Sequence, residues 1–336
     1  MTTSSAKLGH RSTATTVRFG ADALSFDVGG QRNSLANVVC SAHIGDVQTE
    51  PIARPRETAQ REIARADLLR AGEGLLEPIA RAQIRFIQRS LEPGMLDRTL
   101  RWCQRAIGAR WINGALTNLR HVHGLDRLPP LDADKSFLLV SNHRSFFDLY
   151  AVTAYLVGNG LPHRILFPVR ANFFYDNPMG PFVNGVMSFF AMYPPIFRQP
   201  SRAAVNLAGL DEIVRLLRRG GMFVGVHPEG ARKKDGDPYT FLPAQPGIGR
   251  LIYHARVPVI PVFINGLGND IIGQVKGNWT KKADKVHVVF GAPVDFGAGR
   301  DVPPSPRAYK ALSERALAAI ATLSVEEKEI RARGVN

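Results

Sequence analysis

Cysteine is almost absent from this chain, with only Cys40 and Cys103 among 336 residues. Two cysteines so far apart form neither a metal-ligand spacing nor a disulfide framework, and a reducing compartment is the simplest inference. Long apolar runs are missing as well. The nearest approach, Pro181 to Phe197, is too short and is interrupted by Asn184 and the Pro194-Pro195 pair, so no transmembrane span is expected. The first residues lack the apolar stretch of a secretory signal. They are Ser/Thr-rich with no acid before Asp22, loosely like an organelle transit peptide, and a disordered tail is the simpler expectation. Acidic residues are scarce beside basic ones, 29 against 43, and the formal charge of +14 points to an anionic partner such as nucleic acid, an acidic membrane surface or a phosphorylated substrate.

What is present reads as globular, since 45% hydrophobic and 21% charged residues suffice for a sizeable core. Residues 1–60 are rich in Ser, Thr, Gly, Arg and Pro without periodicity, which predicts a mostly disordered tail. Residues 61–120 turn helical. Arg81, Arg85 and Arg89 share one helix face, and Arg98, Arg101 and Arg105 another, with Phe86, Ile87, Trp102, Ile107 and Trp111 between and beside them. This pattern suits an interfacial helix on anionic lipid and equally a helical pair packed on a main domain with a solvated basic face.

Residues 121–300 alternate between strand-like and helical runs. Residues 121–130 look like a linker with a hairpin or short strand. The strand-like runs are Phe137–Ser141, Ile165–Val169, Met222–Val226, Val257–Ile264 and Val286–Phe290. The clearest helix is Ala203–Arg219, stopped by Gly220-Gly221. Strands alternating with helices predict an α/β domain, in which ligands collect beyond the carboxyl ends of the strands. A last helix, from about Pro306 to Arg333 within residues 301–336, is charged on most faces and is expected outside the core.

Two clusters follow strand-like runs. Asn142-His143-Arg144-Ser145-Phe146-Phe147-Asp148 places an imidazole and a carboxylate five residues apart. With His143 in a loop and Asp148 in the first helical turn, the carboxylate would fix the ring's tautomer and leave its other nitrogen free to take a proton from a hydroxyl. Ser145 and Asp148 also fit a capping box, which explains Asp148 without catalysis. The second cluster, His227-Pro228-Glu229-Gly230-Ala231-Arg232, should emerge at the same sheet edge. Gly230 permits a tight turn, Arg232 offers a planar fork to phosphate, and Glu229 can bind substrate hydroxyls or hold Arg232. Arg198, or Arg202 ahead of the long helix, could add a phosphate contact. The prolines near the beginning of Val257-Pro-Val-Ile-Pro-Val262 suggest an edge or entry strand. No further ligand at plausible spacing accompanies His143 and Asp148, so no metal is expected. No nucleic-acid motif is visible and the aromatics sit with apolar residues, so no nucleic-acid partner is expected.

In order, N-H-x4-D, an aromatic-Arg element, PEG-x-R and V-P-V-I-P-V resemble the four motif blocks of the glycerolipid acyltransferases, in particular the 1-acylglycerol-3-phosphate O-acyltransferase (PlsC-like) branch. The resemblance covers about Val122 to Ala292. It implies a mixed α/β sheet flanked by helices, docked by an N-terminal helical region as a peripheral protein on the cytoplasmic face of a membrane. It implies transfer of a fatty acyl group from acyl-CoA or acyl-ACP, with no cofactor, to a lysophospholipid hydroxyl. The alternatives are another acceptor (glycerol-3-phosphate, an amino-lipid or another lysolipid) and a non-catalytic binder of anionic lipid. By the same resemblance His143 is the general base and Asp148 its partner. Arg198 matches the second block, and Glu229, Gly230 and Arg232 match the acceptor-phosphate block. Two positions depart from the pattern: His227 stands where an aromatic or apolar residue is usual, and Ala231 where threonine is. The stretch Gly158 to Gly180 carries no family signature and is a candidate for shaping an acyl tunnel or touching membrane.

Overall fold

Five-residue runs such as FLLVS and MFVGV have no polar face to turn to water, so they suit strands covered on both sides. The computed structural model describes Ile63 and residues 67–334; the tail expected at 1–60 lies outside the described residues. Seven strands form one sheet: β1 (Arg120–His123), β2 (Phe137–Ser141), β3 (Arg164–Arg170), β4 (Met192–Ile196), β5 (Met222–Val226), β6 (Val259–Asn265) and β7 (Val286–Phe290). Their order is β1-β7-β6-β2-β5-β3-β4, and the β6–β7 pair is antiparallel while all other pairs are parallel. Strands β2 to β6 therefore all end at one edge of the sheet. Every residue of β2 and β5, at the centre, is buried.

Helices α1 (Pro78–Leu91), α2 (Met95–Cys103) and α3 (Ala109–Leu116), the last two joined by a π-turn at Gln104–Gly108, fill the region read as helical. Arg81, Arg85 and Arg89 lie on the outer side of α1, over a buried row of Ile84, Ile87 and Leu91. The second arginine trio is not uniform. Arg101 pairs with Asp97 at 2.8 Å and donates to the carbonyl of Gly221 at 3.1 Å, tying α2 to the start of β5. Then come α4 (Asp148–Gly158), α5 (Gly180–Ser188), α6 (Ala203–Arg219), α7 (Pro246–Ala255), α8 (Ile271–Thr280) and α9 (Pro306–Ala332). Helix α6 stops where expected. Gly220 has φ +96°, and a Cβ there would stand 2.1 Å from the Asp134 carbonyl oxygen.

Three expectations change. Helix α9 is not outside the core: Tyr309, Leu312, Ala316, Ile320, Leu323 and Ile330 are buried against α7, β6 and β7. Its charges occupy most of the helix surface, but one narrow row at three- and four-residue spacing suffices to seat it. Of the two positions expected for β6, the edge is excluded, while the prolines do stand at the entry of the strand. It lies between β2 and β7 because Pro258 precedes the strand and Pro261 stands where the β7 ladder ends, its carbonyl accepting from Gly291 N at 3.0 Å. The proline-bearing edge is β4, whose Met192-Tyr-Pro-Pro-Ile196 was not read as a strand. Residues 120–123 form the other edge.

Candidate active site

The carboxyl edge of β2 carries the first cluster. Asn142 locks the exit of the strand: its Nδ2 donates to Ile264 O at 2.8 Å and its Oδ1 accepts from Ile264 N at 2.9 Å, splicing β2 to β6. The chain then turns so that His143 Nδ1 meets Asp148 Oδ2 at 3.2 Å. The same oxygen accepts from the backbone N–H groups of Arg144 and Ser145, each at 2.8 Å. Half of the expected capping box forms: Asp148 reaches back to Ser145 N, while Ser145 Oγ accepts from Phe147 N at 3.2 Å and donates to Gly268 O at 2.6 Å. Helix α4 starts at Asp148 with Phe147 at its N-cap, two residues later than a box capped by Ser145 implies.

Asp148 is fully buried and burial pushes its carboxyl up to about 6, against the His227 imidazole and the two backbone donors. Burial, with Arg232 adding, pulls the His143 imidazole down to about 4. At neutral pH the contact is therefore a hydrogen bond from a neutral imidazole to a carboxylate, which places the proton on Nδ1 and the lone pair on Nε2. Nε2 makes no hydrogen bond among the described residues, and the side chain is 20% exposed.

His227, after β5, lies flat on His143, with ring centroids 3.7 Å apart and planes 9° apart. Its Nδ1 meets the carbonyl of Ser141 at 3.0 Å, and burial, then the neighbouring His143, brings it down to about 3. His143, Asp148 and His227 thus offer three donor atoms within 4.8 Å, a third potential ligand that spacing along the sequence did not reveal. Two nearly parallel stacked rings direct their lone pairs along separate planes, so a shared ion would need one ring to rotate. The cluster is better fitted to hold protons than a metal.

Glu229 is spoken for on both oxygens: Oε1 accepts from His143 N at 2.9 Å and Oε2 from Leu242 N at 2.7 Å. It does not hold Arg232, and burial raises its carboxyl. Gly230 makes the turn at φ +64°, where a Cβ would stand 2.8 Å from Gln245 Cγ. Arg232 donates to Asn269 Oδ1 at 2.9 Å. Arg144 is turned away from the imidazole, clamping the following loop through Asp235 at 2.5 Å and the carbonyls of Asp237 and Thr240. Lys233 also pairs with Asp235, at 2.9 Å.

Arg198 is exposed at the end of β4 and touches none of these residues. It shares their edge of the sheet, but β5 and β3 intervene, an offset of roughly 14 Å at ordinary strand spacing. Arg202 pairs with Asp176 at 3.0 Å. Pro258 and Pro261 sit in and before β6, away from the imidazole.

Beside the dyad lies an open apolar cleft, lined among others by Trp111, Ile112, Phe147, Tyr150, Met187 and Leu267. A second apolar hollow shares Ile112, Tyr150 and Met187 with it, so these three form the wall between them. The stretch 158–180 supplies no residue to the first cleft and only Ile165 and Phe167 to the second. The cleft residues come from α3, α4 and the turn before it, α5, α8 and the loop after β6, elements whose convergence no local pattern announces.

The profile of the family described as Acyltransferase matches residues 120–265, from β1 through the end of β6. The chain is 29% identical over 147 residues to a chloroplastic 1-acyl-sn-glycerol-3-phosphate acyltransferase, BAT2, of Brassica napus, covering 44% of this chain and 37% of that one. It is 29% identical over 169 residues to the human 1-acyl-sn-glycerol-3-phosphate acyltransferase beta, covering 49% and 54%. With the human alpha protein it shares 25% over 185 residues, covering 54% and 58%. The chain thus spans about half the length of the curated relatives it matches. The crystal structure of the 1-acyl-sn-glycerophosphate acyltransferase PlsC from Thermotoga maritima superposes with a TM-score of 0.46 at 19% identity, covering 82% of this chain and 98% of that one. The sequence matches agree with the order of the motif blocks: over residues 120–265 the chain is similar to the Acyltransferase family and to 1-acyl-sn-glycerol-3-phosphate acyltransferases.

Proposed function

We propose that this protein transfers a fatty acyl group from a thioester, acyl-CoA or acyl-ACP, to the free hydroxyl of a lysophospholipid, with 1-acylglycerol-3-phosphate the first candidate acceptor. The observation that carries this reading is the His143–Asp148 hydrogen bond, which leaves Nε2 without a hydrogen bond among the described residues and under the influence of the nearby Arg232. In the reaction, Nε2 takes the proton of the acceptor hydroxyl as its oxygen attacks the thioester carbonyl carbon. The tetrahedral intermediate collapses, the C–S bond breaks, and the imidazolium returns its proton to the leaving thiolate. A thioester is already activated, so one base, an orienting carboxylate and a cation for the acceptor phosphate suffice. Asp148 stabilises the imidazolium while it exists, and the cleft has the character an acyl chain requires.

The same reading places the protein on a membrane. No helix among the described residues is long and apolar enough to cross one. Trp102, Ile107 and Trp111 on α2–α3, Phe182 and Val186 on α5, and Trp279 on α8 are exposed, with Arg98, Arg105 and Arg110 interspersed. Aromatic and apolar groups among arginines suit peripheral docking on anionic lipid, where both substrates reside. A cytoplasmic face is consistent with that charge.

The test is purified protein with lysophosphatidic acid and a long-chain acyl-CoA, product mass being the readout. His143→Ala is expected to lower kcat by roughly 10²- to 10⁴-fold, with Asp148→Asn also impaired. Intact turnover in His143→Ala would remove the base from this account. No transfer by the wild type to any lysolipid would favour a non-catalytic lipid binder.

A further inference from the structure

The loop after β6 contributes a residue that belongs to none of the four motif blocks. Asn269 Oδ1 accepts two hydrogen bonds at once, from Phe146 N at 3.0 Å and from Arg232 Nη1 at 2.9 Å. Both partners are donors, so the amide can satisfy them only with its oxygen, and Nδ2 with its two N–H groups is left turned outward. Asn269 thereby ties the guanidinium after β5 to the loop that carries the base. One residue earlier, Gly268 receives the Ser145 hydroxyl at 2.6 Å and lines the apolar cleft. The Gly268-Asn269 pair therefore stands where the cationic and apolar parts of the site meet.

Charge around the base is distributed unevenly. Arg144 and Lys233 are both paired with Asp235, whereas Arg232 donates to a neutral amide and pairs with no carboxylate among the described residues. A guanidinium with four N–H groups unused by Asn269, beside an outward amide, matches a phosphomonoester dianion. A carboxylate in place of the amide would make the same two hydrogen bonds but cancel that charge.

We propose that Asn269 is a positioning residue that sets acceptor-headgroup specificity, holding Arg232 beside His143 while leaving its charge available to an anionic phosphate. This rests on the acyl-transfer reading. The experiment compares wild type, Asn269→Asp and Asn269→Ala in two arms. The first measures initial rates at saturating acyl-CoA with lysophosphatidic acid and, separately, with zwitterionic lysophosphatidylcholine. The second measures binding of short-chain lysophosphatidic acid by calorimetry, without turnover.

Asn269→Asp keeps the geometry. It is expected to raise KM and Kd for lysophosphatidic acid by about tenfold, with kcat within about threefold and any lysophosphatidylcholine reaction little changed. Asn269→Ala, which frees Arg232, is expected to raise the lysophosphatidic acid KM with both headgroups then discriminated less. Unchanged KM and Kd in both variants would overturn the proposal, as would a fall in kcat alone. If the wild type binds lysophosphatidic acid but transfers nothing, the acyl-transfer reading fails while the binding arm still decides on Asn269. If it does not bind that lipid at all, the headgroup proposal fails too. Asn269 is exposed, and matching thermal unfolding of the variants establishes that the fold is kept.

Discussion

At the scale of single residues, His227 is the departure from the family pattern with the largest structural consequence. An aromatic residue there would also stack on His143, but without the Nδ1 bond to Ser141 and without a titrating group. The pH dependence follows from the directions of the shifts. Both imidazoles are held below their ordinary value, so the unfolded chain takes up protons from about pH 6.5 downward before the folded one does. Their contribution is therefore present above pH 6.5 and is lost as pH falls towards 4. Asp148 acts in the opposite sense, because its folded carboxyl is raised to about 6 and protonates first in the native state. Two imidazoles against one carboxyl leave a net loss of stability in acid. Replacing His227 with Phe is expected to reduce the drop in Tm between pH 7.5 and pH 5, as followed by thermal unfolding; an equal drop in the variant would contradict the assignment.

At the scale of elements, the strongest local patterns were the most legible. FLLVS and MFVGV are apolar up to their last residue or throughout, VHVVF is broken only by His287, and the α6 segment has a regular apolar face ended by two glycines; the structure has strands and a helix there with the expected ends. Strand β4 was hidden because Pro194 and Pro195 speak against a strand locally, although an edge position tolerates them. The site was legible only in part. His143 and Asp148 are close in sequence, but Asn142 and His227 act through partners on other strands and Asn269 through the loops after β2 and β5, and only the sheet order brings these together. Asn269 in particular sits in a Gly-Asn-Asp stretch whose composition signals nothing beyond a turn. Helix α9 offers a test at this scale. Ile320 is fully buried between the helix and the sheet, so Ile320→Ala is expected to cost about 2–5 kcal/mol in chemical denaturation. A loss under about 0.5 kcal/mol would mean that α9 is peripheral after all.

For the whole molecule, the net charge of +14 gains meaning from where the unpaired arginines lie. Arg101 is consumed by packing, so the basic character of α2–α3 available to a surface rests on Arg98, Arg105 and Arg110, around the exposed Trp102. The double substitution Arg98→Glu and Arg105→Glu is expected to release the protein from vesicles containing anionic lipid in flotation, with thermal stability unchanged. Retention equal to wild type at physiological salt would move the docking surface elsewhere. An interfacial surface of this kind also predicts weaker retention as salt rises, because exposed charges are screened.

The backbone donors that hold Asp148 have a further consequence. The N–H groups of Arg144 and Ser145 persist whatever side chains those positions carry, proline excepted. The orientation of the carboxylate is in this respect buffered against drift at the two positions nearest to it. The ring stacked on His143 has no such insulation, since a single codon change at position 227 replaces it. The hold on the carboxylate thus tolerates other side chains at positions 144 and 145, whereas the cover on His143 depends on the side chain at position 227 alone.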